Sequence, residues 1–227
     1  MNILDLLFPK RCVGCGKVGK YFCVRCQLKI QTIDQNETIC PVCEKGAIDG
    51  ITHPHCKTRY SLDGLTSFFH YKGPVQKAVK SIKYRYASDL ASEFIDLIPF
   101  SMMDSRLRGN DTIIVPVPLH PSRLRYRGFN QAEVLGTLIA QRFSIPMQSD
   151  ILKRVRETKS QVEVMGREKR LKNMEGAFVM NNSKFDIRTS SIFLFDDVFT
   201  TGATLRSAAK VLKRAGALFV WGITMAR

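Results

Sequence analysis

The sequence contains no apolar run long enough to span a membrane. Its opening stretch, Met1-Asn-Ile-Leu-Asp-Leu-Leu-Phe8, lacks the basic n-region of a secretory signal and carries Asp5. The expected location is therefore the cytoplasm. Beyond Cys56 there is no cysteine: all seven lie between Cys12 and Cys56. There is no low-complexity tract and no sustained repeat, although the cysteine segment reads like one ribbon written twice. Acidic residues are scarce, 20 Asp and Glu against 35 Lys and Arg, which leaves a net charge of +15. A surplus of that size favours polyanionic partners such as nucleic acid, phosphorylated ligands or an anionic membrane surface. A hydrophobic content of 44% excludes a disordered chain, and 227 residues suffice for one ordinary core plus a small appended module.

Six of the seven cysteines fall in C-x-x-C pairs, a pattern that speaks for metal rather than disulfides in a chain with no export signal. Cys12-Val-Gly-Cys15 and Cys23-Val-Arg-Cys26 form one tetrad. Cys40-Pro-Val-Cys43 with His53-Pro-His-Cys56 forms a second. Each pair sets two ligands on one turn, and the second pair closes a tetrahedral shell, so both sites are expected to hold structural Zn²⁺. His55 is an alternative ligand to His53, and a cross-braced pairing of the tetrads is a second arrangement. A segment this small has little core of its own, so metal binding supplies folding energy. Two zinc-bound sets of thiolates would lower the net charge to roughly +12, because coordinating thiols are deprotonated.

The composition shift marks a boundary near residue 60, with a zinc-ribbon module over 1–60 and an α/β domain over 61–227. Strands are expected at 65–72, Thr112–Val117, Ser191–Phe195 and Leu218–Thr224. Helices are expected over 74–98, Phe129–Phe143 and Leu205–Ala215, the last stopped by Gly216. Residues 99–111 read as a loop or insertion, and the basic stretch 157–173 as a loop plus a short helix. Continuous apolar strands alternating with helices indicate a mostly parallel sheet flanked by helices.

At the carboxyl end of the Ser191–Phe195 strand come Asp196 and Asp197, then Val198-Phe-Thr-Thr-Gly-Ala-Thr204, then a helix. A turn opening into a helix presents unpaired N–H groups and the positive end of the dipole, which suit a phosphate. Gly202 lets backbone approach closely, and Thr200, Thr201 and Thr204 add hydroxyl donors. Adjacent carboxylates can accept from a vicinal diol and suit a hydrated Mg²⁺.

The Ile192–Thr204 stretch resembles the phosphoribosyl pyrophosphate (PRPP) motif of type I phosphoribosyltransferases. The chain as a whole is similar to the ComF competence family, also called GntX-like. The resemblance runs through the cysteine pairs, Pro116-Val-Pro-Leu-His120, Arg127-Gly-Phe-Asn-Gln131, Gln161, Glu168-Lys-Arg170, Asn173, Gly176-Ala-Phe178 and the Asp-Asp loop. It implies a type I phosphoribosyltransferase-like fold, with Asp196 and Asp197 on the ribose hydroxyls and Thr200, Thr201, Gly202, Ala203 and Thr204 around the 5′-phosphate. It places Pro118, Leu119, His120 and the residues to Ser122 in the pyrophosphate-binding role. His120 can donate to phosphate or cap its neighbours, and Asn130 can cap a helix or touch ligand with Gln131. Arg123, Arg125 and Arg127 add guanidinium groups suited to phosphate. Lys153, Arg154, Arg156, Lys159, Arg167, Lys169, Arg170 and Lys172 extend a basic strip that fits either a nucleic-acid backbone or a loop closing over pyrophosphate.

Three functions follow. One is a ComF-type protein that binds a phosphoribosyl ligand and handles single-stranded DNA in natural transformation, with proteins of the uptake machinery as partners. Another is an active phosphoribosyltransferase using PRPP and Mg²⁺. The third is a transferase-fold regulator that senses a phosphoribosyl ligand. No nucleobase-selective hood is visible in the sequence.

Overall fold

Ile192, Phe193, Leu194 and Phe195 form an unbroken apolar run, which is what a strand covered on both faces requires. The computed structural model, which describes residues 9–84, 88–102, 111–158, 166–181 and 185–227, shows that arrangement. The first strand, β1 (Gly64–Phe69), follows a metal-ligand module whose described residues include a short α-helix, α1 (Val24–Gln27), and three 3-10 turns. Two helices come next, α2 (Gly73–Tyr84) and α3 (Ser88–Asp96), then β2 (Thr112–Pro116), α4 (Pro121–Arg127) and α5 (Gln131–Phe143). A two-stranded antiparallel pair, β3 (Leu152–Arg154) and β4 (Phe178–Met180), brackets α6 (Arg167–Met174). The chain closes with β5 (Ser191–Val198), α7 (Ala203–Arg214) and β6 (Phe219–Ala226).

The main sheet has the order β1-β6-β5-β2, and every pairing is parallel. Beyond β2 a single parallel bridge, Ile114 to Met147, extends the edge. Phe193 and Phe195 face a core shared with α2, α3 and α5, where Val79, Phe94, Leu135 and Ile139 are buried. Ile192 and Leu194 face the opposite core, built from α7 and the β3–β4 pair. Helix α7 presents Leu205, Ala208, Ala209 and Leu212 to the sheet, and its two small alanines let it lie close.

The cysteine module covers the outer edge of β1. Ile33 N–H donates to Phe68 O at 2.9 Å, and His70 N–H donates to Gln31 O at 3.0 Å. Further along, Thr52 N–H donates to Asp63 O at 2.9 Å. A strand edge that would offer unpaired backbone groups is thereby occupied. Phe22 of the module stacks on Phe94 of α3 with centroids 5.7 Å apart.

The arginines 123–127, given no element from the sequence, form a helix: Pro121 occupies its first turn, His120 caps it, and Gly128 stops it in the left-handed region (φ 78°). One expectation needs adjustment. Asp196 and Asp197 lie within β5 rather than after it, because the pairing with β6 continues through Val198. The β3–β4 pair was not foreseen; strands of three residues carry too few positions for a periodic signal. Gln161, Lys159 and most of the 99–111 segment lie outside the described residues.

Candidate ligand site and metal centres

From β2 the chain runs outward to the Met147 bridge, while β5 leads inward to β6. The strand order therefore reverses between β2 and β5. In open α/β sheets the crevice outside the carboxyl ends of such a pair is where ligands bind. Both segments singled out in the sequence leave the sheet at that point. Pro116 is in register with Phe195, and Val117 N–H still donates to Phe195 O at 2.8 Å.

On the β5 side, Asp196 Oδ1 accepts from Asp197 N–H at 2.9 Å, and Asp197 Oδ1 accepts from Val198 N–H at 3.0 Å. Gln131 Nε2 donates to Asp197 Oδ2, while Arg127 donates to Gln131 Oε1 at 3.1 Å. A hydrogen-bonded relay thus runs from α4 through the start of α5 to the second carboxylate. Asp196 retains some exposed area yet is closely ringed by protein atoms. That burial, with Asp197 beside it, pushes its pKa well above the usual carboxylate range, and Lys83 opposes the shift only partly.

The turn after β5 places Phe199, Thr201, Gly202 and Ala203 in buried positions. Gly202 caps α7 in the left-handed conformation at φ 66°. A Cβ there would meet the Phe199 ring at 2.7 Å and the Pro41 carbonyl oxygen at 3.2 Å, so only glycine fits without displacement. The buried Thr201 Oγ1 finds no hydrogen-bond partner among the described residues. A buried hydroxyl left unpaired is costly, and a ligand oxygen at this helix start would satisfy it.

Across the crevice, Pro118, Leu119 and His120 are half-buried. His120 Nδ1 accepts from Ser122 N–H at 3.3 Å and lies 2.7 Å from Ser122 Oγ, which donates to Glu157 at 2.7 Å. Here His120 serves as a helix cap. Asn130 does the same for α5 through Ala132 N–H at 3.2 Å, and its Nδ2 donates to Val117 O at 3.1 Å, tying α5 to the β2 loop. Arg125 is exposed on α4.

Sequence reasoning counted Arg154 only as one cation of a strip. The structure buries it to 6% exposure, beneath the same site. Its guanidinium donates to Thr158 Oγ1 and lies over the Phe178 ring at 5.5 Å, while Nε finds no partner among the described residues. Arg123 reaches the same Thr158 through its carbonyl. Burial, with Arg123 and Arg127 nearby, draws the Arg154 pKa down to about 10, against the pull of Asp196. The available signal was alternation: Leu152 and Arg154 share the inward face of β3.

The pH dependence of Asp196 is a direct test of that environment. An acid raised in the folded state costs nothing below its unfolded pKa of about 3.9, where both states are protonated. Stability is lost as pH rises from there through the folded pKa. Asp196→Asn is therefore expected to melt with wild type near pH 4 and to be more stable at pH 7.5. A gap in melting temperature that opens and widens as the pH rises is expected. Paired melting curves across that range decide it, and a constant offset would mean the carboxyl is not perturbed.

The two tetrads assemble in sequence order. Cys12, Cys15, Cys23 and Cys26 bring their sulfurs within 4.8 Å of one another, and Cys40, Cys43, His53 and Cys56 do the same with one ligand atom each. Cys15 and Cys23 sulfurs stand 3.7 Å apart. Zinc–sulfur bonds of about 2.3 Å at tetrahedral angles give about 3.8 Å, so the spacing fits the ion. In the second tetrad His53 Nδ1 lies 3.3 Å from Cys43 Sγ, while Nε2 bonds Gly46 O at 2.9 Å. A backbone carbonyl on the far nitrogen fixes the tautomer that frees Nδ1 for metal. His55 stacks against His53 at 5.2 Å and is outside the cluster.

Fold and clusters together define a mixed α/β protein with a mostly parallel sheet and two N-terminal ligand sets fit for structural zinc. A family model for a double zinc ribbon domain matches residues 3–57. Across most of its length the chain is homologous to competence proteins. It is 28% identical to competence protein F of Haemophilus influenzae, covering 95% of this chain and 90% of the relative. It is 26% identical to competence protein ComFC of Bacillus subtilis, covering 88% and 81%. It is also 26% identical to DNA utilization protein YhgH of Escherichia coli K12, covering 86% of each. No helix among the described residues is long and apolar enough to cross a membrane.

Proposed function

We propose that this chain acts in DNA uptake, as its relatives' names suggest, by pairing a phosphoribosyl-binding crevice with a basic surface for single-stranded DNA. In this reading residues 1–60 form the zinc ribbon and 61–227 a type I phosphoribosyltransferase-like domain. The observation that carries it is the convergence, at one switch point, of two carboxylates, a buried helix-opening turn and the arginines of α4. Asp196 and Asp197 hold the ribose hydroxyls. Thr200, Thr201, Gly202, Ala203 and Thr204 hold the 5′-phosphate. Pro118, Leu119, His120, Arg125, Arg127, Asn130 and Gln131 line or support the diphosphate side. The carboxylates are hard oxygen donors that suit Mg²⁺, which would neutralise phosphate charge when bound. DNA lies along the arginine helix and the basic strip, in the cytoplasm and alongside proteins of the uptake machinery.

One observation favours a second reading, an active phosphoribosyltransferase. Paired acids are built for a vicinal diol, and the sugar of DNA lacks the 2′-hydroxyl that completes one. The crevice therefore asks for ribose. Held in it, PRPP would exchange its C1–pyrophosphate bond for a bond from C1 to an acceptor nucleobase nitrogen, the carboxylates favouring the oxocarbenium-like charge on the sugar and the arginines the departing pyrophosphate.

A thermal-shift panel separates these. PRPP with Mg²⁺ is expected to raise the melting temperature, and ribose 5-phosphate to outperform 2-deoxyribose 5-phosphate. Pyrophosphate release with any nucleobase would move the protein to the second reading. Binding of single-stranded DNA is expected to weaken with salt. Reversing Arg123, Arg125 and Arg127 to Glu should reduce the log–log slope by roughly 2, at about 0.7 per phosphate contact. A panel with no response to PRPP overturns the crevice assignment.

A further inference from the structure

The C-x-x-C knuckle of the second tetrad is seated on the turn that opens α7. The Pro41 carbonyl oxygen lies 3.2 Å from where a Gly202 Cβ would stand. Arg167, the first residue of α6, donates its Nε to Glu44 at 2.7 Å and its terminal nitrogen to Val42 O. Arg206, half-buried one turn into α7, is within electrostatic reach of Glu44 and of the Cys40 and Cys56 thiols. Ser207 Oγ donates to Met174 O at 2.6 Å, joining α7 to the end of α6. The knuckle thus meets the turn at Gly202 through Pro41 and holds α6 through Arg167, and α6 is joined in turn to α7. The first tetrad touches a different part of the fold: Lys77 of α2 donates to Gly14 O at 2.7 Å, and Tyr21 N–H donates to Glu93 of α3 at 3.1 Å.

We propose that metal at Cys40, Cys43, His53 and Cys56 positions the 199–204 turn, so that occupancy of the second zinc site and ligand binding at the turn are coupled, while the first site is not coupled to it. The reason is geometric. Tetrahedral coordination would fix the knuckle backbone whose Pro41 and Val42 carbonyls meet Gly202 and Arg167. Coupling of this kind is reciprocal, so a ligand that is helped by zinc must hold that zinc more tightly in return.

The ligand half of this inference rests on the function proposed above, and the structural half does not, so the test reads them separately. Full-length protein carrying both zincs is compared with Cys56→Ser, which breaks the second tetrad, Cys15→Ser, which breaks the first, and Arg167→Ala, which frees the clamp and spares every ligand. Zinc content, amide hydrogen exchange over 199–206, and zinc release to a chromogenic chelator with and without PRPP and Mg²⁺ are measured. Cys56→Ser is expected to lose one zinc and speed exchange over 199–206 by about tenfold or more. Cys15→Ser should lose one zinc and leave that stretch within about twofold of wild type. Arg167→Ala should keep both zincs and raise exchange there by about threefold. PRPP should slow release of one zinc and not the other. Equal exchange over 199–206 in Cys56→Ser and Cys15→Ser overturns the proposal. If Cys56→Ser does not fold, unchanged exchange in Arg167→Ala overturns it instead. If exchange separates the variants but PRPP leaves zinc release unchanged, the positioning role stands and the ligand reading fails.

Discussion

Stripping both metals with excess chelator is expected to unfold the ribbon outright and to lower the melting temperature of the rest by more than about 10 °C. Among the described residues the ribbon buries few apolar side chains, chiefly Phe22 and Ile33 besides its own cysteines. Structural zinc contributes an apparent binding free energy of about 10–16 kcal/mol to small modules of this kind, far more than such a core can supply. The effect spreads because the ribbon is stitched to the sheet. Its loss uncovers the β1 edge at Phe68 and Phe69, releases the Phe22–Phe94 stack, and removes the partners of Arg167 and Lys77. A few kcal/mol lost from the sheet domain corresponds to a shift of about 10 °C in a chain of this size. Far-UV circular dichroism and calorimetry before and after chelation, with recovery on added zinc, provide the measurement. A melting temperature unmoved by complete zinc removal would show that the ribbon is ornamental.

Gly202→Ala is expected to abolish ligand response while the sheet remains folded. Two effects add at this position. A non-glycine residue in the left-handed region costs about 1–2 kcal/mol. The new methyl would also stand 2.7 Å from the Phe199 ring and 3.2 Å from the Pro41 oxygen, so either the ring or the knuckle must move. The turn carries the Thr201 hydroxyl and the N–H groups that open α7, and in the proposed site both would point at one phosphate. A displacement near 1 Å is enough to cost about a hundredfold in affinity. The expected result is a melting temperature lowered by about 2–8 °C and no further shift with PRPP and Mg²⁺. A normal ligand shift in Gly202→Ala would mean that the phosphate is not held by this turn.

Much of this architecture is visible in the chain itself. The apolar run 192–195 announces a strand buried on both faces, and Leu205, Ala208, Ala209 and Leu212 announce the helix that covers one of them. The C-x-x-C spacing locates both metal clusters, since local ligands need only a turn to meet. What escaped notice has physical causes. Helix α4 has no apolar stripe; its Leu124 and Tyr126 are exposed, and only its capping residues define it. The acids 196 and 197 read as a strand terminus because charge usually ends a buried strand, yet pairing with Thr224 and Ala226 carries β5 past them. Arg154 is buried by partners 20 or more residues away, Met174 and Phe178 among them. The seat of Pro41 on Gly202 joins positions far apart in sequence, which no local pattern records.

The order of strands has a consequence for how the protein is made. Strand β6 lies between β1 and β5, so Gly64 must find Trp221 and Ile192 must find Val220. Until that late segment leaves the ribosome the sheet has no middle, and β1 and β5 have no route to each other. The four ligands of the first tetrad, by contrast, fall within a few turns of chain and can capture an ion early. Synthesis should therefore yield a metal-set ribbon first and an open, apolar half-sheet that waits for its central strand. Long-range parallel pairing of that sort closes slowly. The finished crevice, bounded by β2 and β5, gains its full backing only when β6 has slid into place beside β5.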